Sequence, residues 1–199
     1  MAAEPLTREQ IVAAAKEALR RYGPAKMTVL DVAQALGVSH GSVYRHFPTK
    51  AALRAAVVQE DNELIERRLE AIAAGDGSAL DRLHRLLLTL SEFKQNFARE
   101  DPELFETYCR VGMDGPRVAS AHVELLVGLL DRVLAEGVAA GAVRPGAAAV
   151  GGRALFDATS RFHHPAQRES WTDPQIGEDF ERVWLLLRAG LAVADPQPD

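Results

Sequence analysis

The chain has 199 residues, 47% of them hydrophobic and 26% charged, with a net charge of −5. That balance fits a folded globular chain and excludes a disordered or fibrous one. No apolar run reaches the roughly 20 residues that a bilayer span requires, and Cys109, the single cysteine, excludes an internal disulfide. Met1 to Leu6 has neither a basic nor an apolar leader region, so a cytoplasmic location is expected. Ala and Leu dominate, which favours an all-α chain.

The charge is unevenly spread. Residues 1–50 carry seven Lys/Arg and four Asp/Glu, whereas residues 51–199 carry 16 and 24. The first segment is therefore net +3 and the remainder net −8, a split that confines attraction for phosphate to one end.

In chain order, Thr7 and Gln10 form a capping-box pattern that opens a first helix. Ile11, Ala14, Ala15, Ala18, Leu19 and Tyr22 follow at helical spacing, and Gly23-Pro24 is expected to stop it. Thr28 caps a short second helix to Leu36, and Gly37 breaks it. Ser39 caps a third helix to about Phe47. Thr49 caps a long fourth helix to about Ala74, ended by Gly75-Asp76-Gly77-Ser78. A fifth runs from Ser78 or Ala79 to about Arg99. Asp101-Pro102 opens a sixth, ending near Gly112 to Gly115. A seventh runs from about Pro116 to Gly141, an eighth from about Ala147 to before Pro165. A ninth opens at Thr172-Asp173-Pro174 and ends near Ala194, and residues 195–199 read as a frayed tail.

The second and third helices carry the strongest pattern. Leu36-Gly37-Val38 joins them, and Gly37 permits the left-handed backbone of a sharp turn. Val32, Leu36, Val38, Val43 and Phe47 face inward, leaving Ser39, His40, Ser42, Tyr44, Arg45 and His46 outward. A short helix so rich in hydrogen-bonding side chains is the reading head of a helix-turn-helix, which places its second helix in the major groove of duplex DNA. A plain helical hairpin with a glycine turn does not account for that polar face.

Thr28, Val32-Ala33, Leu36-Gly37-Val38-Ser39, Ser42-Val43-Tyr44-Arg45-His46-Phe47-Pro48, Lys50 and Leu53 together closely resemble the N-terminal signature of the tetracycline-repressor (TetR) family. The resemblance implies an all-α plan of about nine helices. A three-helix DNA-binding domain over 1–50 precedes a helical effector-binding and dimerisation domain over 51–194. It also implies roles. Thr28, Tyr44, His46 and Lys50 are similar to phosphate and backbone contacts, and Ser39, His40 and Ser42 to positions facing base edges. Arg45 faces outward beside them. Gly41 departs from the larger residue often seen in such a reading helix.

The resemblance further implies an effector pocket in the fifth to eighth helices and a dimer face on the last two. Leu87, Phe93, Phe97, Phe105, Tyr108, Met113, Leu126 and Leu130 are the expected pocket lining, an apolar and flexible set suited to a small organic molecule. Leu155, Phe156, Phe162, Val183, Trp184, Leu187 and Leu191 are the expected dimer face, with Ala154, Phe180 and Leu186 in the same apolar stretches. Two heads imply a pseudo-palindromic operator, and the implied activity is repression of transcription. Release follows when a small apolar or amphipathic effector shifts the population of head spacings through the fourth helix.

An activator or a metal-responsive regulator is the alternative within this class. His163-His164 draws attention, but adjacent residues do not share a helix face, and no His-x-x-x-His spacing occurs. No metal or cofactor is expected. An enzyme is disfavoured because no nucleophile elbow, phosphate loop or usefully spaced carboxylate pair is present. A sequence-independent architectural protein would need a broad basic surface, which the acidic second segment lacks.

Overall fold

A computed structural model describes residues 5–114 and 116–193. Ten α-helices and one 3-10 helix appear among them. They are α1 (Arg8–Lys26), α2 (Val29–Ala35), α3 (His40–His46), α4 (Lys50–Ala74), α5 (Ala79–Glu100), α6 (Pro102–Asp114), α7 (Pro116–Ala139), α8 (Pro145–Ala158), α9 (Ser160–His163) and α10 (Ile176–Leu191), with the 3-10 helix over Pro165–Thr172. The all-α class expected from composition is observed.

Local chemistry sets most starts. Thr7 and Gln10 exchange bonds as a capping box, the Gln10 amide donating to Thr7 Oγ1 at 3.2 Å and the Thr7 amide to Gln10 Oε1 at 2.9 Å. Thr49 Oγ1 accepts from the Ala52 amide at 3.0 Å, and Ser78 Oγ from the Asp81 amide at 3.2 Å. Each satisfies a backbone donor that a helix start leaves orphaned.

Three expectations change. Gly23-Pro24 kinks α1 rather than ending it: Gly23 takes φ +73°, and helical backbone resumes to Lys26. The expected eighth helix begins at Pro145, a residue suited to a first turn, and is interrupted at Thr159, where α9 starts. A 3-10 helix then occupies the stretch expected to be a connection. The expected tail, 195–199, lies outside the described residues.

The helices form two compact units, Met1–Glu63 with Phe97–Ala121, and Leu64–Asn96 with His122–Asp199. In the first, Ile11, Ala15, Leu19, Val32, Val43, Phe47, Leu53 and Leu104 build one core. α6 packs on α1 there, and Arg20 Nε donates to Asp101 Oδ2 at 2.7 Å. Lys16 Nζ bonds Asp61 Oδ1 at 2.7 Å.

In the second unit Leu83, Leu87, Leu130, Val133, Leu134, Phe162, Phe180 and Trp184 share a core. Gly152 lets α8 approach α7: a Cβ there would stand 2.6 Å from Leu130 Cβ and 2.7 Å from the Val127 carbonyl oxygen. Arg144 ends α10, its Nε donating to the Ala192 carbonyl at 2.7 Å and Nη2 to the Ala189 carbonyl at 2.8 Å. Those carbonyls lack helical partners, and the guanidinium also suits the negative end of the helix dipole.

The residues of the expected dimer face lie as follows. Leu155, Phe156, Phe162, Trp184 and Leu191 are buried inside this unit's own core, and Val183 and Leu187 are half-buried against it. Apolar count does not tell a surface from a core, and most of these side chains are consumed within the chain. The large apolar side chains left outward on α8 and α10 are Val150, 67% exposed, Leu185, 61%, and Leu186, 76%.

Candidate nucleic-acid interface

α2 and α3 pack on α1 through Val29, Val32, Ala33, Val43 and Phe47, all buried. The turn between them rests on Gly37 at φ +66°, backbone that an L side chain rarely adopts. The Gly37 amide donates to the Gln34 carbonyl at 3.2 Å and the Val38 amide to the Ala33 carbonyl at 3.0 Å, closing the end of α2. Ser39 caps α3, its Oγ accepting from the Ser42 amide at 3.2 Å.

Burying Val43 and Phe47 turns the opposite side of α3 outward. Ser39, His40, Gly41, Tyr44 and Arg45 are exposed, and Ser42 and His46 half-exposed. Ser39 Oγ and Ser42 Oγ lie 2.9 Å apart, and Arg45 Nη2 donates to Ser42 Oγ at 3.3 Å. The His40 and Tyr44 rings meet edge to face at 6.1 Å. The outer face is thus a small linked network of donors and acceptors. A Cβ at Gly41 would meet only Ser39 Oγ, at an ordinary 3.8 Å, so packing does not demand glycine there.

Two residues flank this face. Thr28 is exposed and caps α2. Its Oγ1 accepts from the Asp31 amide at 3.2 Å and donates to Asp31 Oδ2 at 2.7 Å, and its own amide also donates to Oδ2 at 2.7 Å. Those bonds, the Thr28 hydroxyl first, hold the Asp31 carboxyl below its ordinary pKa. Lys50, the first residue of α4, donates from Nζ to the Ala25 carbonyl at 3.2 Å. Partial burial, then the Arg54 charge, keep its ammonium below the usual lysine pKa, with Asp31 opposing.

Sequence reasoning missed Arg8. Its Nη1 donates to the His46 carbonyl at 2.8 Å, and its guanidinium sits 4.2 Å over the Phe47 ring. A cation in the first turn of a helix opposes the dipole, and that misfit was the available signal.

The expected pocket residues divide between the units. Leu87, Leu126 and Leu130 line a void of about 10 Å³ in the second unit, with Leu69, Leu90 and Phe156; Phe93 packs half-buried on the same core. Phe97, Phe105 and Tyr108 belong to the first unit, where Phe97 meets Phe105 edge to face at 5.6 Å and Phe105 stacks on Tyr108 at 5.9 Å. Met113 is 75% exposed and is not part of that void's lining. His163 is buried, whereas His164 is exposed and caps the 3-10 helix. Among the described residues, no three His, Cys, Asp or Glu side chains gather as a metal site. No helix among them is long and apolar enough to cross a membrane.

A glycine-turned helix pair, clamped on a third helix and presenting an exposed polar face at its N-terminal end, is a helix-turn-helix. Such a module binds duplex DNA. Residues 11–57 match the family model described as bacterial regulatory proteins, tetR family, and residues 79–184 match the tetracyclin repressor-like C-terminal domain. The chain belongs to the TetR family.

It is 32% identical over 93 residues to the nucleoid occlusion factor SlmA of Aliivibrio fischeri, a match covering 46% of this chain and 47% of that protein. It is 33% identical over 132 residues to the HTH-type transcriptional repressor Rv3405c of Mycobacterium tuberculosis, covering 59% of this chain and 70% of the relative. The chain therefore spans about half the length of the first of these relatives. Its fold is similar to that of FadR from Bacillus subtilis, solved in complex with stearoyl-CoA, with a TM-score of 0.63, 18% identity, and coverage of 92% of this chain and 99% of that one.

Proposed function

We infer that this protein is a homodimeric repressor that holds a pseudo-palindromic operator until a small apolar or amphipathic effector releases it. The observation that carries the reading is the α3 face, where Ser39, His40, Tyr44 and Arg45 stand exposed on a helix locked by Val43 and Phe47. In this reading residues 1–50 are the DNA-binding domain and 51–194 supply effector binding and dimerisation. Thr28, Tyr44, His46 and Lys50 hold phosphate, Ser39, His40 and Ser42 read base edges, and Arg45 adds charge beside them. The protein works in the cytoplasm and acts by binding rather than catalysis.

The dimer face in this reading is the outward apolar set Val150, Leu185 and Leu186, with Val183 and Leu187 at its margin. A void among leucines supports an apolar effector. Rv3405c is named a repressor, and FadR was solved with an acyl thioester, so both halves of the reading have a similar protein behind them. Effector binding near Leu69 biases α4, the helix that begins at Lys50, and with it the spacing of the two heads.

The test is selection of bound duplexes from a random pool with the full chain. A palindromic consensus is expected. A non-palindromic site, or no enriched sequence, overturns the reading.

A further inference from the structure

Three helices of the second unit each place one polar side chain a turn away from a wall of the leucine-lined void. Glu66 stands three residues before Leu69 on α4, Lys94 four after Leu90 on α5, and His122 four before Leu126 on α7. Residues so spaced share a helix face. Lys94 is 3% exposed and His122 4%, depths that charged and polar side chains seldom reach. His163 of α9 joins them. It is buried, its Nε2 donates to the Phe156 carbonyl at 3.1 Å, and its ring lies 4.5 Å from the Phe156 ring, itself part of the wall. The void itself is lined by apolar side chains, and this polar group stands one helical turn beyond its lining.

His122 is the informative member. Its Nδ1 lies 2.6 Å from Glu66 Oε1. A carboxylate only accepts, so Nδ1 carries the hydrogen and Nε2 carries a lone pair. That Nε2 is fully buried and has no hydrogen-bond partner among the described residues. A buried acceptor without a donor is costly, and native cores seldom keep one without use. Burial, then the Lys94 charge, push the imidazole down to about 3, so the lone pair persists at neutral pH.

The surroundings select the donor. A cationic ligand is repelled by Lys94, and a ligand without a donor leaves Nε2 orphaned. An O–H group satisfies Nε2, and it must keep its proton beside the Lys94 ammonium: a carboxylic acid would ionise there and leave only accepting oxygens, whereas a phenol stays protonated at neutral pH. We propose that this unit takes a small apolar phenol, whose O–H donates to His122 Nε2 while its hydrocarbon body parts the leucines of the void. This rests on the reading of the chain as an effector-controlled regulator. A void of about 10 Å³ holds one water-sized body. Entry of a hydrocarbon thus requires Leu69, Leu87, Leu126 and their neighbours to move, which couples occupancy to helix position.

Calorimetric titration of the full chain, without DNA, tests the assignment. The probes are para-propylphenol against para-propylanisole, with octanoate, which has no O–H at neutral pH, as a further comparison. The phenol is expected to bind about tenfold or more tightly than its methyl ether, and His122→Leu is expected to erase the difference. Octanoate binding more tightly than the phenol overturns the choice of a protonated donor. Should the variant fail to fold, nitrogen resonances of isotope-labelled histidine in the unmodified protein replace it, with His122 Nε2 expected to shift on binding. Equal affinity of phenol and ether, no binding by the phenol, or an unmoved Nε2 resonance overturns the proposal. Duplex selection proceeds separately. Enrichment of an operator without O–H discrimination sinks the ligand assignment alone, and discrimination without an operator sinks the regulator reading alone.

Discussion

Arg8 and His46 are 38 residues apart, yet the Arg8 guanidinium donates to the His46 backbone carbonyl at 2.8 Å. The first turn of α1 thereby holds the last turn of α3. The same guanidinium covers Phe47, so one side chain closes both the polar and the apolar edge of the head. Arg8→Ala is expected to cost about 2–4 kcal/mol of stability, the sum of a charge-assisted bond and an exposed cation–π contact. Operator affinity falls with it, while base preference does not change. A changed consensus in duplex selection would place Arg8 among the base readers instead.

In the proposed reading the roles on α3 and at the start of α4 are separable. Tyr44→Phe and Lys50→Ala are expected to weaken binding to every duplex, and the Lys50 variant to reduce the dependence of affinity on salt by about one unit of slope. His40→Ala is expected to relax preference at particular base pairs, at about 1–3 kcal/mol of discrimination. Ser42→Ala also breaks the bonds to Ser39 and Arg45, so its effect combines altered preference with a looser helix start. Binding to variant duplexes across salt separates these. A uniform loss from all four changes is incompatible with the division.

The dimer reading distinguishes neighbours on α10. Leu186→Glu changes a side chain that is 76% exposed and is expected to leave the fold intact while producing monomers that lose the operator. Trp184→Ala empties a buried site, and about 3–5 kcal/mol of stability goes with it. Sedimentation and thermal melts report the two outcomes. A Leu186→Glu chain that stays dimeric places the interface elsewhere.

Acid should loosen the second unit. Burial, the largest cause in each case, pushes His122 down to about 3 and His163 to about 4, from an ordinary 6.5. Lys94 on α5 lowers both further, while Glu66 on α4 receives the His122 proton donor. A depressed histidine pKa means the unfolded chain binds protons that the folded chain refuses. Stability from these groups is complete above pH 6.5 and declines as pH falls from 6.5 toward 4 and 3. The melting temperature is expected to drop over that window, and less steeply in His122→Leu. An unchanged slope in the variant would remove His122 from the cause.

Two glycines give opposite expectations. Gly152→Ala drives a methyl into Leu130 and the Val127 carbonyl, and backbone cannot step aside, so a loss of about 1–3 kcal/mol is expected. Gly41→Ala meets only ordinary contact with Ser39 Oγ and removes a poor helix former, so a gain of up to about 1 kcal/mol is expected. Melts of the two variants check both signs.

Much of the head was legible because its rules are local. Thr7, Thr28, Ser39, Thr49 and Ser78 cap the helices that hydroxyl-before-periodicity predicts, and Gly37 turns where an αL residue is required. What escaped notice was non-local or lacked a period. The pairing of α6 with α1 joins segments about eighty residues apart that carry no mutual mark. The break at Thr159 and the 3-10 helix after it interrupt a stretch whose apolar spacing reads as continuous. Leu155, Phe162 and Trp184 read alike as core and as surface in sequence, and the structure buries them within their own unit. The Glu66, Lys94 and His122 group carries no mark in the sequence, because its members lie on three helices and share only their place one turn from a leucine of one void.

Lys50 is fixed before any DNA arrives. Its ammonium rests on the Ala25 carbonyl, so four methylene torsions that wander in a free lysine are already confined. Freezing such a side chain costs up to about 2 kcal/mol, and here folding of the head bears that entropy rather than the encounter with phosphate. If Lys50 takes phosphate as proposed, what remains at the encounter is an exchange of one oxygen acceptor for another, and the strength of that grip is then set by charge and not by ordering.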